Sequence, residues 1–201
     1  MKVLATMLLT FAVGCATARK PPWVPAEGRF VAPKAGFELE GPAGWMRYGP
    51  AEAAEEFLAT RDGVDLQRIN ALSSPAGKPL GLGKSTRPFT AGMSPSELAE
   101  LVVDAVRSVE AISDVRVIEN MPAKLAGRSG FRLLVSYKAD GLTYRTAIAG
   151  CAEGERVYYA YYRAPERHYF DLDLATFDLV LETYRLDAPE PAPKPSPPPQ
   201  S

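Results

Sequence analysis

Thiols and imidazoles are nearly missing from this chain: its 201 residues include two cysteines, Cys15 and Cys151, and one histidine, His168. So few soft ligands exclude a cysteine-rich zinc site, and no metal ligand set is expected. Charge of one sign is missing too, with 23 Lys and Arg against 24 Asp and Glu, net −1. Without a basic stripe, nucleic acid is not an expected partner. No apolar run is long enough to cross a bilayer: Val3–Val13 falls short of the roughly 20 residues a spanning helix needs. A true phosphate-binding loop is absent as well. Gly81-Leu82-Gly83-Lys84-Ser85-Thr86 resembles one, but Lys78 stands where the first glycine of G-x-x-x-x-G-K-[ST] belongs, and Pro88 blocks the helix that should follow. A flexible basic loop is the expectation there, and no cofactor is expected anywhere.

What is present begins at the N-terminus. Lys2 precedes the apolar run, which ends at Gly14-Cys15, and Arg19-Lys20 stop its continuation. Ala12-Val13-Gly14-Cys15 resembles the bacterial lipobox, with Ala12 in the place usually held by Leu and Val13 bulkier than usual. That resemblance implies cleavage before Cys15, a thioether-linked diacylglycerol on its sulfur, and N-acylation by a fatty acid such as palmitate. Two or more acyl chains anchor stably, at about 0.8 kcal/mol per buried methylene. If Cys15 is acylated, Cys151 is left alone and no intramolecular disulfide can form. Ala16 lacks the Asp that resembles an inner-membrane retention signal of enteric bacteria. The expected location is therefore the cell envelope, lipid-anchored in the outer membrane and facing the periplasm.

Beyond the anchor, Ala16–Gly28 is Pro-rich and aperiodic, as in a tether. Phe37–Glu40 alternates as a strand, and Gly41–Gly44 turns the chain into Trp45. Glu55–Thr60 and Asp65–Leu72 flank the turn signal Arg61-Asp62-Gly63; Leu66, Arg68 and Asn70 should face one way and Gln67, Ile69 and Ala71 the other. Ser94-Pro95-Ser96-Glu97 predicts a capped helix running to about Ser108, with Leu98, Leu101, Val102, Ala105 and Val109 on one face. Val115–Arg163 predicts four antiparallel strands joined by short turns, with Val157, Tyr159 and Tyr161 opposite in phase to Tyr158, Ala160 and Tyr162. A second helix is expected over Pro165–Tyr184, its acids Asp171 and Asp173 complementing the dipole. Ala188–Ser201 reads as a disordered polyproline-like spacer.

Phe37-Glu38-Leu39 before Pro42-Ala43-Gly44-Trp45, the helix Ser94–Val109, the Leu125–Gly130 turn and the closing Thr176-Phe177-Asp178 and Glu182–Leu186 together resemble the PsbP-like fold, also seen in bacterial DcrB-type lipoproteins. The resemblance covers Phe37–Leu186. It implies an α+β architecture, an antiparallel sheet flanked by helices in an α/β/α sandwich, and a binding or assembly module with no shared catalytic set. The expected organisation is a lipoprotein signal peptide over 1–14, a tether over 15–28, a globular domain over 29–187 and a tail over 188–201.

The functional expectation is a non-catalytic module held to the membrane by its N-terminal lipid and docking a protein or envelope component. Lys78, Lys84 and Arg87 in the 73–92 loop are candidate contacts for an anionic partner. The alternative is a small-ligand carrier or sensor with a cleft lined by Tyr158, Tyr159, Tyr161 and Tyr162. A hydrolytic enzyme would have to use His168, which lacks a placed serine or cysteine partner.

Overall fold

The computed structural model describes residues 23–49 and 55–186. The expected leader 1–14, Cys15, residues 16–22 of the expected tether and the expected tail 188–201 lie outside the described residues.

The four-strand prediction materialises as β7 (Ser113–Leu125), β8 (Arg128–Ala139), β9 (Leu142–Glu153) and β10 (Arg156–Pro165), paired antiparallel in sequence order. Two of its turns carry consecutive positive φ, Ala126-Gly127 at 50° and 75° and Asp140-Gly141 at 50° and 76°. That is the twist a two-residue hairpin favours, and glycine supplies it cheaply. The sheet continues through β6 (Arg68–Pro75), β5 (Phe57–Thr60), β4 (Met46–Tyr48) and β1 (Trp23–Pro25). The order across its eight strands is β1-β4-β5-β6-β10-β9-β8-β7, so β10 closes the meander against β6. A smaller antiparallel sheet joins β2 (Gly28–Ala32), β3 (Phe37–Gly41) and β11 (Arg185–Leu186).

One helix covers each face of the large sheet. α1 (Pro95–Arg107) starts as predicted: Ser94 Oγ accepts from the Glu97 amide at 3.3 Å while Glu97 Oε2 accepts from the Ser94 amide at 2.7 Å. Its Leu98, Leu101, Val102 and Ala105 pack on Phe131, Leu133, Val135, Ile148 and Tyr159. On the other face α2 (Phe170–Thr183) and the small sheet enclose Phe30, Phe37, Trp45, Phe57, Tyr162 and Phe177. The result is an antiparallel sheet between helical layers, the α+β sandwich expected of a PsbP-like fold.

Three expectations are corrected. The tether does not extend to Gly28: Trp23, Val24 and Pro25 pair with Tyr48, Arg47 and Met46, and Trp23 meets Tyr48 edge-on at 5.7 Å. Proline is tolerated here because β1 is an edge strand, where a missing amide leaves no partner unsatisfied. α2 begins at Phe170 rather than Pro165, because Ala164 and Pro165 extend β10 against Arg145 and Tyr144. The turn that follows places His168 at φ 70°, which interrupts any helix. Asp173 does more than complement a dipole. It is buried, pairs with Arg61 at 2.9 Å, and has its carboxyl pushed up by burial against the opposing pull of Arg61.

Cys151 sits fully buried in β9, its thiol pushed up to about 12, chiefly by burial and further by Glu153, with Arg128 opposing. A thiol held protonated and out of solvent is a poor nucleophile. In the full chain carrying Cys15→Ser, iodoacetamide is therefore expected to leave Cys151 unmodified until denaturant is added. Labelling at the denatured rate without denaturant would show that β9 opens.

Candidate functional site

The helix that covers one face of the sheet is too short to cover all of it. α1 begins near Gly130 and Phe131 and ends at Arg107. Beyond it the sheet offers a row of polar side chains instead of core. The antiparallel register sets Arg163 of β10 directly opposite Arg68 of β6 on one side and Thr146 of β9 on the other. Tyr161 follows two residues before Arg163, so all four project from the α1 face of the pleat. Together with Tyr137, Ile148, Leu82, Val106 of α1 and Val109 and Ile112 just beyond its end, they line a recess of about 100 Å³.

The electrostatics of this recess are unusual. Directly opposed side chains on an antiparallel pair have Cβ atoms roughly 5 Å apart, and like charges there repel. Among the described residues neither Arg68 nor Arg163 pairs with a carboxylate, and both Nε atoms are buried without a hydrogen-bond acceptor. Aromatic faces hold the guanidiniums instead. Arg163 Cζ lies 4.4 Å from the centre of the Tyr144 ring, and Arg68 Cζ lies 6.0 Å from that of Tyr161. Tyr144 stacks on Tyr137 at 5.9 Å, and the Thr146 hydroxyl lies 3.3 Å from that of Tyr137. Burial pushes the Tyr161 phenol up, Arg68 pulls it down, and Glu56 and Tyr137 push it further up. Glu56 is thus near, yet it forms no ion pair with either arginine. Asn70, opposite Tyr161, also leaves its Oδ1 buried and unpartnered. The site is a cationic rim over an apolar floor.

The residues singled out from sequence are distributed differently from the expectation. The four tyrosines do not share a cleft, because alternation along β10 divides them between the two faces. Tyr158 and Tyr162 enter the α2-side core, whereas Tyr159 enters the α1-side core and donates its hydroxyl to the Leu80 carbonyl. Only Tyr161 reaches the recess. In the basic loop, Lys84 pairs with Glu110, and Arg87 pairs with Asp104 of α1 at 2.6 Å. Lys78 is exposed, while its backbone is tied to Phe89 through a 2.9 Å bond.

The loop is fastened rather than loose. The Lys84 amide donates to Ser108 Oγ at 2.9 Å, Phe89 and Leu80 are buried beneath it, and Gly83 lies against the end of α1. A Cβ at Gly83 would meet Ala105 O at 2.7 Å. The same fastening brings Leu82 to the recess, where the loop and the tyrosine strand converge.

His168 lines an open depression with Leu142, Thr143 and Glu166 that contains no serine or cysteine. Among the described residues no group of three or more His, Cys, Asp or Glu could hold a metal, and no helix is long and apolar enough to cross a membrane. Arg68, Arg163, Tyr137 and Thr146 were not singled out from sequence. Their signal was the shared phase of Arg68 in DLQRINAL and Arg163 in VYYAYYRAP, which becomes a site only once β6 and β10 pair.

The chain has a PsbP-like fold. The cyanobacterial PsbP (CyanoP) of Synechocystis sp. PCC 6803 superposes with a TM-score of 0.52 at 14% identity, over 81% of this chain and 94% of that one. LpqN, described as involved in cell envelope biogenesis of Mycobacterium tuberculosis, superposes with 0.52 at 15% identity, over 76% and 83%. A crystal structure from Bacteroides thetaiotaomicron VPI-5482 gives 0.50 at 14% identity over 82% of this chain, which spans only 50% of that protein. No protein-family model and no curated protein matches the sequence.

Proposed function

We propose that this protein is a lipid-anchored binding or assembly module of the bacterial cell envelope and that it acts without catalysis. The observation that carries the reading is the recess itself. At about 100 Å³ it has room for one compact group, well below the roughly 300–1,000 Å³ of pockets that enclose a whole small molecule. Anchoring pockets of that kind, cationic and aromatic around an apolar floor, suit a side chain presented by a larger partner. The lipobox-like Ala12–Cys15 and the fold shared with LpqN support a place in the envelope, and Ala16 favours the outer membrane.

The test is recovery from solubilised membranes. Wild-type protein is expected to incorporate labelled palmitate and to co-purify with a partner, and Cys15→Ser to lose both. No partner above the Cys15→Ser control would overturn the module reading, and palmitate retained by Cys15→Ser would overturn the anchor.

A further inference from the structure

The arginine pair specifies more than a generic anchor. Arg68 and Arg163 stand opposite each other across β6 and β10, and among the described residues neither pairs with an acid, so the two like charges repel and a single bound anion would relieve that repulsion. A planar carboxylate matches the fork geometry of arginine, so one carboxylate can accept from both. The floor directly beside that position is apolar, formed by Ile148, Val106, Val109 and Leu82. The occupant must therefore carry a carboxylate and a compact apolar group very close together.

Volume narrows the choice. A fatty acyl tail does not fit in about 100 Å³. An internal Asp or Glu places its acid and a neighbouring apolar side chain on different residues, roughly 7 Å apart on one face of an extended segment. A C-terminal residue carries both on one carbon.

We propose that the recess receives the C-terminal residue of a partner protein, with its α-carboxylate on Arg68 and Arg163 and a leucine-sized side chain on the apolar floor. Tyr161, and Tyr137 whose hydroxyl accepts from Thr146 at 3.3 Å, offer hydroxyl donors to the second oxygen. This rests on the module reading and names the partner's chemistry.

The experiment titrates the full chain carrying Cys15→Ser, so that it stays in solution, by calorimetry and by two-dimensional NMR. The probes are a Gly-Ser peptide ending in leucine as the free acid, the same peptide as its C-terminal amide, and 4-methylvalerate. The acid peptide is expected to bind with a Kd of about 1 mM or tighter, shifting Thr146 and Ile148 resonances, and the amide not to bind. Arg163→Gln is expected to weaken the acid peptide by roughly ten- to hundredfold, the range of a charge-assisted hydrogen bond. The variant relieves the repulsion but also loses the 4.4 Å contact with Tyr144, so its melting curve is recorded alongside, and binding lost while the variant is still fully folded at the titration temperature cannot be ascribed to unfolding.

Equal binding of acid and amide, binding of neither, or unchanged affinity in Arg163→Gln would overturn the proposal. If 4-methylvalerate binds as tightly as the peptide, the ligand is a free small acid and not a protein terminus. A membrane pull-down that recovers the same partner with Arg163→Gln bait would overturn the recess while leaving the module intact.

Discussion

Replacing Tyr162 by alanine is expected to lower stability by about 3–5 kcal/mol, the usual cost of emptying a large buried aromatic site. The ring is fully buried, lies 5.4 Å from Phe170 in a stacked pair, and meets Phe177 and Trp45 at 6.2 and 6.4 Å. It therefore joins α2, β10 and the approach to β4 in one cluster, and no neighbouring side chain can fill the void without breaking a second aromatic contact. Its hydroxyl donates to the Tyr169 carbonyl at 2.8 Å, at the entry to α2, and burial pushes the phenol up so that it stays a neutral donor. Tyr162→Phe should cost only about 1 kcal/mol, the net value of that bond.

Urea denaturation checks both, and the alanine variant should melt on the order of 10 °C lower. Tyr161→Phe is the contrasting case, one residue earlier but on the other face. It should leave the midpoint nearly unchanged and act only on the recess. If Tyr162→Ala proves no less stable than Tyr161→Phe, the division of the tyrosines between core and site is wrong.

That contrast shows how far sequence carries in this fold. Alternation along β10 correctly assigned Tyr161 to one face and Tyr162 to the other, as it did for Arg68 and Ile69 in β6. What it could not assign was which face stays open, because both faces of this sheet are covered by core over most of their area and therefore look alike in a period-2 pattern. The decisive facts are non-local. α1 is too short to cover the end of the sheet, and β10 pairs with β6 although α1, β7, β8 and β9 all lie between them in sequence. The capping box of α1 and the Asp-Gly turn of β8–β9 were legible because their physics lies within a few residues. The 23–25 strand was not. Three residues with a proline carry no periodicity, and they form a strand only because Met46–Tyr48 offers an edge.

The segment missed in this way is held by a close approach that one methyl group should destroy. Gly41 ends β3 opposite Gly28 of β2, and a Cβ there would lie 1.9 Å from the Ala26 carbonyl oxygen and 2.8 Å from its carbon. Both obstacles are backbone, so no rotamer change relieves them. Ala26 cannot retreat easily, because its amide donates to the Trp45 carbonyl at 2.8 Å and its side chain is buried.

Gly41→Ala is therefore expected to cost about 3 kcal/mol or more, the upper part of the overpacking range, although alanine in an extended backbone would ordinarily gain several tenths through the unfolded state. Gly63→Ala is the control. Gly63 has φ 108° and open space around its Cβ position, so it should pay backbone strain alone, about 1–3 kcal/mol. Both tryptophans, Trp23 and Trp45, flank the Gly41 contact. Their emission in Gly41→Ala should shift to the red at urea concentrations where the rest of the fold still holds. Equal midpoints for the two variants, with no early tryptophan change, would show that the approach of Ala26 does not fix this strand. The consequence reaches the proposed anchor. With β1 docked, only residues 16–22 separate Cys15 from the body, and releasing β1 would lengthen that link by the strand itself.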